Sequence, residues 1–159
     1  MNVTIRKAEL KDTANIVKAE QEIAQEPGFF CSQPSELTEQ NVKKTIESSN
    51  GIYFVAECNG CIAGHAFLET LPLQSLKHIA QLNIAVHKGF QNCGIGTELM
   101  KRIIEWAQES ESVEKIELNV RASNAQAILR RRLLKAAGQN KKRVHRRYFN
   151  GFACQRLFA

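Results

Sequence analysis

Nowhere in this sequence does an apolar run approach the roughly 18 residues that a helix needs to cross a bilayer. The opening Met1-Asn2-Val3-Thr4-Ile5-Arg6 also lacks the long apolar stretch of a secretory signal. Together these absences set the expectation of a cytoplasmic protein without a membrane partner. Proline is scarce, only Pro27, Pro34 and Pro72, and with the nine glycines it is scattered, which leaves no linker, repeat or low-complexity tract. A chain of 159 residues, 43% hydrophobic and 24% charged, then reads as one globular domain spanning residues 1–159. The five cysteines are an odd number without a signal, which argues against a disulfide framework and for free thiols. Cys58-Asn59-Gly60-Cys61 has redox or zinc spacing, but no second pair or spaced histidines complete a four-ligand site. No metal is expected, and the Asn-Gly centre reads better as a hairpin turn.

The formal charge of +6 is unevenly spread. Residues 1–129 hold 12 Lys/Arg against 16 Asp/Glu, whereas residues 130–159 hold 10 Lys/Arg and no acid. Basic character therefore belongs to the C-terminal fifth, above all to residues 130–147. A solvated helix face and strand face would account for it. Neither the aromatic pattern of an RNA-binding sheet nor zinc-finger spacing accompanies the charge, so nucleic acid is not the expected partner.

Along the chain, Val3 to Arg6 reads as an opening strand, and Asp12 as the cap of a helix carrying Ile16, Val17, Ile23 and Ala24, which Pro27-Gly28 stops. Ser35 or Thr38 starts a second helix with Val42 and Ile46. Ile52–Glu57 and Ile62–Glu69 flank Asn59-Gly60 as a β-hairpin. In the next strand, 78–87, Leu82, Ile84 and Val86 alternate with Gln81, Asn83 and Ala85. Gly94–Glu109 is a helix with Ile95, Leu99, Ile103 and Ala107 in a stripe, and Lys115–Arg121 is a strand. Ser123 or Asn124 caps a further helix that Gly138 ends. Segments around Lys142–Phe149 and Phe152–Phe158 close the chain as two strands. The order β-α-α-β-β-β-α-β-α-β-β predicts an α/β domain with a mixed sheet.

Chemistry concentrates where the strand at Leu82–Val86 runs through a turn into the helix at Gly94. The first turn of a helix carries N–H groups without intrahelical partners at the positive end of its dipole, which suits a phosphate. Two phosphate motifs are excluded: Thr97-Glu98 follows Gly96 where a Walker loop needs Lys then Ser/Thr, and Leu99 stands where a dinucleotide fingerprint needs glycine. The remaining pattern, Gln91-x-x-Gly94-x-Gly96, resembles the Q/R-x-x-G-x-G/A signature of the GNAT acetyltransferases. The preceding Leu82-x-Ile84-x-Val86 strand and the later Arg121-Ala122-Ser123-Asn124-Ala125-Gln126-Ala127-Ile128 resemble the family in order and spacing.

This resemblance implies a GNAT-like mixed central sheet with helices on both faces. It also implies transfer of acetyl from acetyl-CoA, as cosubstrate, to a primary amine by direct attack in a ternary complex. By the same likeness, the main chain of Ile84, Ala85 and Val86 pairs with the pantetheine arm. Gln91, Asn92, Cys93, Gly94, Ile95, Gly96 and Thr97 cradle the diphosphate, Asn124 lies beside the cofactor, and the N–H of Val86 faces the thioester oxygen. The acceptor is a small-molecule or peptide amine, walled by Gln25–Leu37, and a homodimer is the family's habit.

The sequence departs from the family in proton handling. Its general-acid Tyr falls on Arg131, or on Leu134 if one turn is added, and neither can serve. Asn119 occupies the place of the family's Glu, which leaves Glu69 and His78 as candidate bases, each with a plain surface role as the competing reading. The irregular likeness over 129–147 keeps open a CoA-binding protein of the same fold with weak or no transferase activity, and more remotely a nucleic-acid module. Those basic residues could also reach the 3′-phosphate of CoA.

Overall fold

The computed structural model describes residues 2–25, 37–121, 146–149 and 152–158. Its strands are β1 (Val3–Lys7), β2 (Gly51–Cys58), β3 (Cys61–Thr70), β4 (Ile79–Val86), β5 (Lys115–Arg121), β6 (Arg146–Phe149) and β7 (Phe152–Phe158). The helices are α1 (Thr13–Ala24), α2 (Glu39–Glu47) and α3 (Ile95–Glu109). The expected helix beginning at Ser123 or Asn124, the first residues of the strand expected from Lys142, and the residues departing from the family at 131 and 134 lie outside the described residues.

All seven strands join one mixed sheet in the order β1-β2-β3-β4-β5-β7-β6. Every pairing is antiparallel except that of β4 with β5. The crossover between these parallel neighbours is made by α3, the usual way of joining parallel strands. Between β2 and β3 the turn is as the sequence predicts: Asn59 (φ 50°) and Gly60 (φ 78°) are both left-handed, the type I′ geometry that Asn-Gly favours, with Cys58 opposite Cys61. Both thiols are free.

Strand alternation sends side chains to two layers. Phe54, Ala56, Ala66, Leu68, Ala80, Leu82, Ile116 and Leu118 meet the predicted stripe Ile95, Leu99, Ile103 and Ala107 of α3. On the other face Tyr53, Val55 and Phe67 pack beneath Ile16 and Val17 of α1 and Val42 of α2. Helices thus cover both faces, as expected. Thr38 caps α2 by accepting from the N–H of Asn41 at 3.3 Å. Asp12, expected as the cap of α1, makes no side-chain bond to that helix. Its carboxylate instead receives both guanidinium ends of Arg6, at 2.7 and 2.9 Å, and the N–H of Glu9 at 2.8 Å. A bidentate charged partner outcompetes a lone helix amide for the same oxygens.

Candidate functional site

β3 pairs with β4 as far as Val86, but β5 pairs with it only over Ile79–Leu82. Beyond Leu82 the two parallel strands diverge and, among the described residues, β4 has an open edge. Which groups line that edge follows from the alternation of main-chain directions. The N–H of His87 bonds to the carbonyl of Ala63 on β3 at 2.9 Å, so Ala85 also faces β3, and the N–H and C=O of Ile84 and Val86 face the gap. Of the three strand residues assigned to an extended ligand, only Ile84 and Val86 offer main-chain groups to it. Ala85 spends its own on β3.

Where the open edge ends, the chain turns over residues 87–94 into α3. Asn92 (φ 62°) and Gly94 (φ 83°) are left-handed, and a Cβ placed on Gly94 would meet nothing within 4 Å. The conformation therefore demands glycine at 94, and the space beside it is open. Gly94 is the N-cap residue of α3, its carbonyl accepting from Thr97 at 2.9 Å and Glu98 at 3.2 Å. The N–H groups of Ile95 and Gly96 precede these bonds and have no acceptor within the helix. Ile95 is anchored in the core by its side chain, which fixes the first turn, while Gln91, Asn92, Cys93 and Gly94 are exposed. The Cys93 thiol donates to the carbonyl of Gln91 at 3.4 Å. A 15-residue helix adds its positive end to these amides.

The expected bases lie elsewhere. Glu69 is half-buried opposite Gln81, with one carboxylate oxygen accepting from the Ser48 hydroxyl at 3.3 Å. That register puts it five strand positions, roughly 17 Å, from Val86. His78 precedes β4 on the surface, eight positions or roughly 26 Å from Val86. The structure does not gather Glu69 and His78 with the Val86 amide. Asn124 lies outside the described residues.

Two buried polar groupings escaped the sequence reading. On β5, Lys115 and Glu117 form a buried ion pair at 2.7 Å, and Glu117 stands in register with Gln81 and, through it, with Glu69. Their alternation with Ile116 and Leu118 was the available signal, obscured because charged residues in a strand ordinarily mark its solvent face. Behind β4, Glu20, His65 and His87 are joined by hydrogen bonds within the α1 layer. They come from separate elements, so no local pattern announces them.

An open strand edge suits an extended arm bearing amides, and the helix start at its end suits phosphates. Side by side they suit a ligand that carries both. Comparison with known proteins agrees: residues 17–135 match the acetyltransferase (GNAT) family. The chain is 27% identical over 129 residues to the L-amino acid N-acetyltransferase AaaT of Escherichia coli strain K12, covering 79% of this chain and 77% of that protein. It is 32% identical over 110 residues to the [ribosomal protein bS18]-alanine N-acetyltransferase of the same strain, covering 67% and 69% respectively. The fold matches yncA from Salmonella typhimurium, solved with its cofactor acetyl-CoA, at a TM-score of 0.79 and 19% identity over 99% of this chain and 94% of that one. The chain belongs to the GNAT family and is an acetyl-CoA-dependent N-acetyltransferase. Among the described residues no helix is long and apolar enough to cross a membrane.

Proposed function

We propose that this enzyme transfers acetyl directly from acetyl-CoA to a primary amine while both are bound, with the cofactor lying along the open edge of β4. The observation that carries the reading is the end of the β4–β5 pairing at Leu82, which leaves the main-chain groups of Ile84 and Val86 facing the gap beside the α3 N-terminus. In this reading Ile84 and Val86 pair with the amides of pantetheine as an added strand would. The loop Gln91–Thr97 receives the diphosphate, chiefly on the N–H groups of Ile95 and Gly96, and Asn124 lies beside the cofactor.

Attack by the amine puts negative charge on the thioester oxygen, and the N–H of Val86 donates to it there. A fixed amide needs no reorganisation as the charge develops. Deprotonation of the amine goes to water, since Glu69 and His78 stand too far along the strand for direct contact. Glu69, the nearer, is the terminal acceptor reached through solvent, and collapse of the tetrahedral adduct breaks the C–S bond so that the CoA thiolate leaves and takes a proton from water. Holding amine and thioester in contact can supply about 7–11 kcal/mol of the barrier, which makes a weak base sufficient.

The two relatives act, by their names, on an L-amino acid and on an alanine of a ribosomal protein. The proposed acceptor is accordingly the α-amine of an amino acid or of a peptide N-terminus. Steady-state rates of CoA release with amino acids and alanine-initiated peptides, varied against acetyl-CoA, test the mechanism. Intersecting double-reciprocal lines are expected. Parallel lines would indicate an acetylated enzyme and contradict direct attack, while acetyl-CoA binding without turnover would favour the weakly active alternative.

A further inference from the structure

Three buried side chains run as a chain of hydrogen bonds from α1 to the turn that opens the cofactor loop. Glu20 Oε1 lies 3.1 Å from His65 Nε2, His65 Nδ1 lies 3.0 Å from His87 Nε2, and His87 Nδ1 lies 2.8 Å from the carbonyl of Ile62. Glu20, His65 and His87 are only 4%, 1% and 6% exposed. Their protons can be assigned from the carbonyl end, because a carbonyl only accepts. His87 must therefore carry hydrogen on Nδ1 and donate to Ile62. Burial, reinforced by the neighbouring His65, lowers the pKa of His87 to about 4, so its ring is neutral and its Nε2 accepts. The proton in the next bond belongs to His65 Nδ1.

That leaves His65 Nε2 facing the Glu20 carboxyl. A hydrogen bond there needs one more proton, held either by His65 as an imidazolium opposite a carboxylate or by Glu20 as an acid opposite a neutral ring. Without that proton a nitrogen lone pair and a carboxylate would face each other out of water, which is strongly unfavourable. Reversing both tautomers does not help, because the bare Nδ1 of His87 would then oppose the Ile62 carbonyl.

His87 is also the hinge post of the loop. Its N–H bonds to Ala63 at 2.9 Å and its carbonyl accepts from Phe90 at 3.1 Å, so the side-chain bond to Ile62 is its third tie to the structure around the turn. We propose that Glu20, His65 and His87 form a one-proton latch that holds the turn from β4 into α3 in the shape that receives the diphosphate, so that all three are positioning residues for acetyl-CoA although none touches it. This role rests on acetyl-CoA occupying that turn. Among the described residues the titratable groups facing the latch are Glu20 from α1, His65 from β3, His87 at the end of β4, and Tyr53 from β2. The ring of Tyr53 is 5.8 Å from that of His65, and its buried hydroxyl is held neutral by desolvation and by Glu20.

Glu20→Gln separates the proton from the bond. Its amide can donate to a bare His65 Nε2, keeping the chain of hydrogen bonds intact, whereas Glu20→Leu removes the bond. Acetyl-CoA affinity, measured by calorimetry at pH 7, should stay close to the parent's in Glu20→Gln, which keeps the hydrogen bond. Glu20→Leu should bind roughly tenfold more weakly at pH 7, the scale of one lost buried hydrogen bond, with kcat at saturating acetyl-CoA little changed. Imidazole 15N spectra of the parent, recorded without ligand, should show His87 protonated at Nδ1 and bare at Nε2. A folded Glu20→Leu that binds like the parent, a folded Glu20→Gln that binds as weakly as Glu20→Leu, or a His87 protonated at Nε2 would each overturn the latch. A parent with the expected imidazole pattern but no acetyl-CoA binding would overturn the cofactor reading, and the positioning role with it.

Discussion

At the scale of single residues, two groups tie stability to pH in opposite chemical senses but the same direction. His87 is neutral in the fold, with a pKa near 4 against about 6.5 in the unfolded chain. Below about pH 6.5 the unfolded state takes up a proton that the native state refuses, so stability falls with pH until about pH 4. Asp12 has its pKa lowered, chiefly by the Arg6 hydrogen bonds. Its contribution is present above the ordinary carboxylate range near 3.9 and is lost as pH falls below it. Urea denaturation of the parent should therefore show declining stability between pH 6.5 and 4 and a further loss below. Asp12→Asn should be less stable at pH 7 and show a smaller lower loss while keeping the upper one. A profile flat from pH 7 to 4 would contradict the neutral, buried His87. The sequence signalled the Asp12 position as a helix start but not its partner, because Arg6 reaches it by a tertiary contact rather than a capping pattern.

At the scale of elements, local periodicity carried most of the information. The stripe Ile95, Leu99, Ile103 and Ala107 buries against the sheet as its spacing requires, and Asn59-Gly60 forms the turn its chemistry favours. Ile103 is wholly buried at the centre of α3. Ile103→Ala should cost about 2–5 kcal/mol, through lost burial and the cavity left behind, as read by urea denaturation. A loss below about 1 kcal/mol would mean that α3 is packed more loosely than this. The opening between β4 and β5 was not legible from either strand alone. Both continue as strands past Leu82 and Leu118, and the resemblance implied only that the main chain of Ile84–Val86 pairs with the pantetheine arm.

At the scale of the whole molecule, the site is an accident of no single segment. A parallel pair diverges, the crossover helix starts beside the divergence, and a buried chain from α1 braces the turn between them. The glycine loop was readable because its residues are contiguous. The latch was not, because Glu20 and His65 are 45 positions apart and His65 and His87 are 22 apart, so three ordinary-looking residues acquire a joint role only in the fold. Nor could the candidate bases be judged before the register of β3 against β4 fixed how far Glu69 and His78 lie from Val86.

The most direct test is calorimetric titration of acetyl-CoA into the parent and into Gly96→Asp. Position 96 lies in the first turn of α3 without a left-handed φ, so aspartate is compatible with the helix and even favoured at its positive end. Its carboxylate would stand where the diphosphate is expected. Binding by the parent, with affinity lowered roughly 100-fold in a variant that unfolds as cooperatively, is the predicted result, corresponding to about 2.8 kcal/mol of lost and repelled charge interaction. Equal affinity in the two proteins, or no binding by the parent, would contradict a cofactor held at the start of α3.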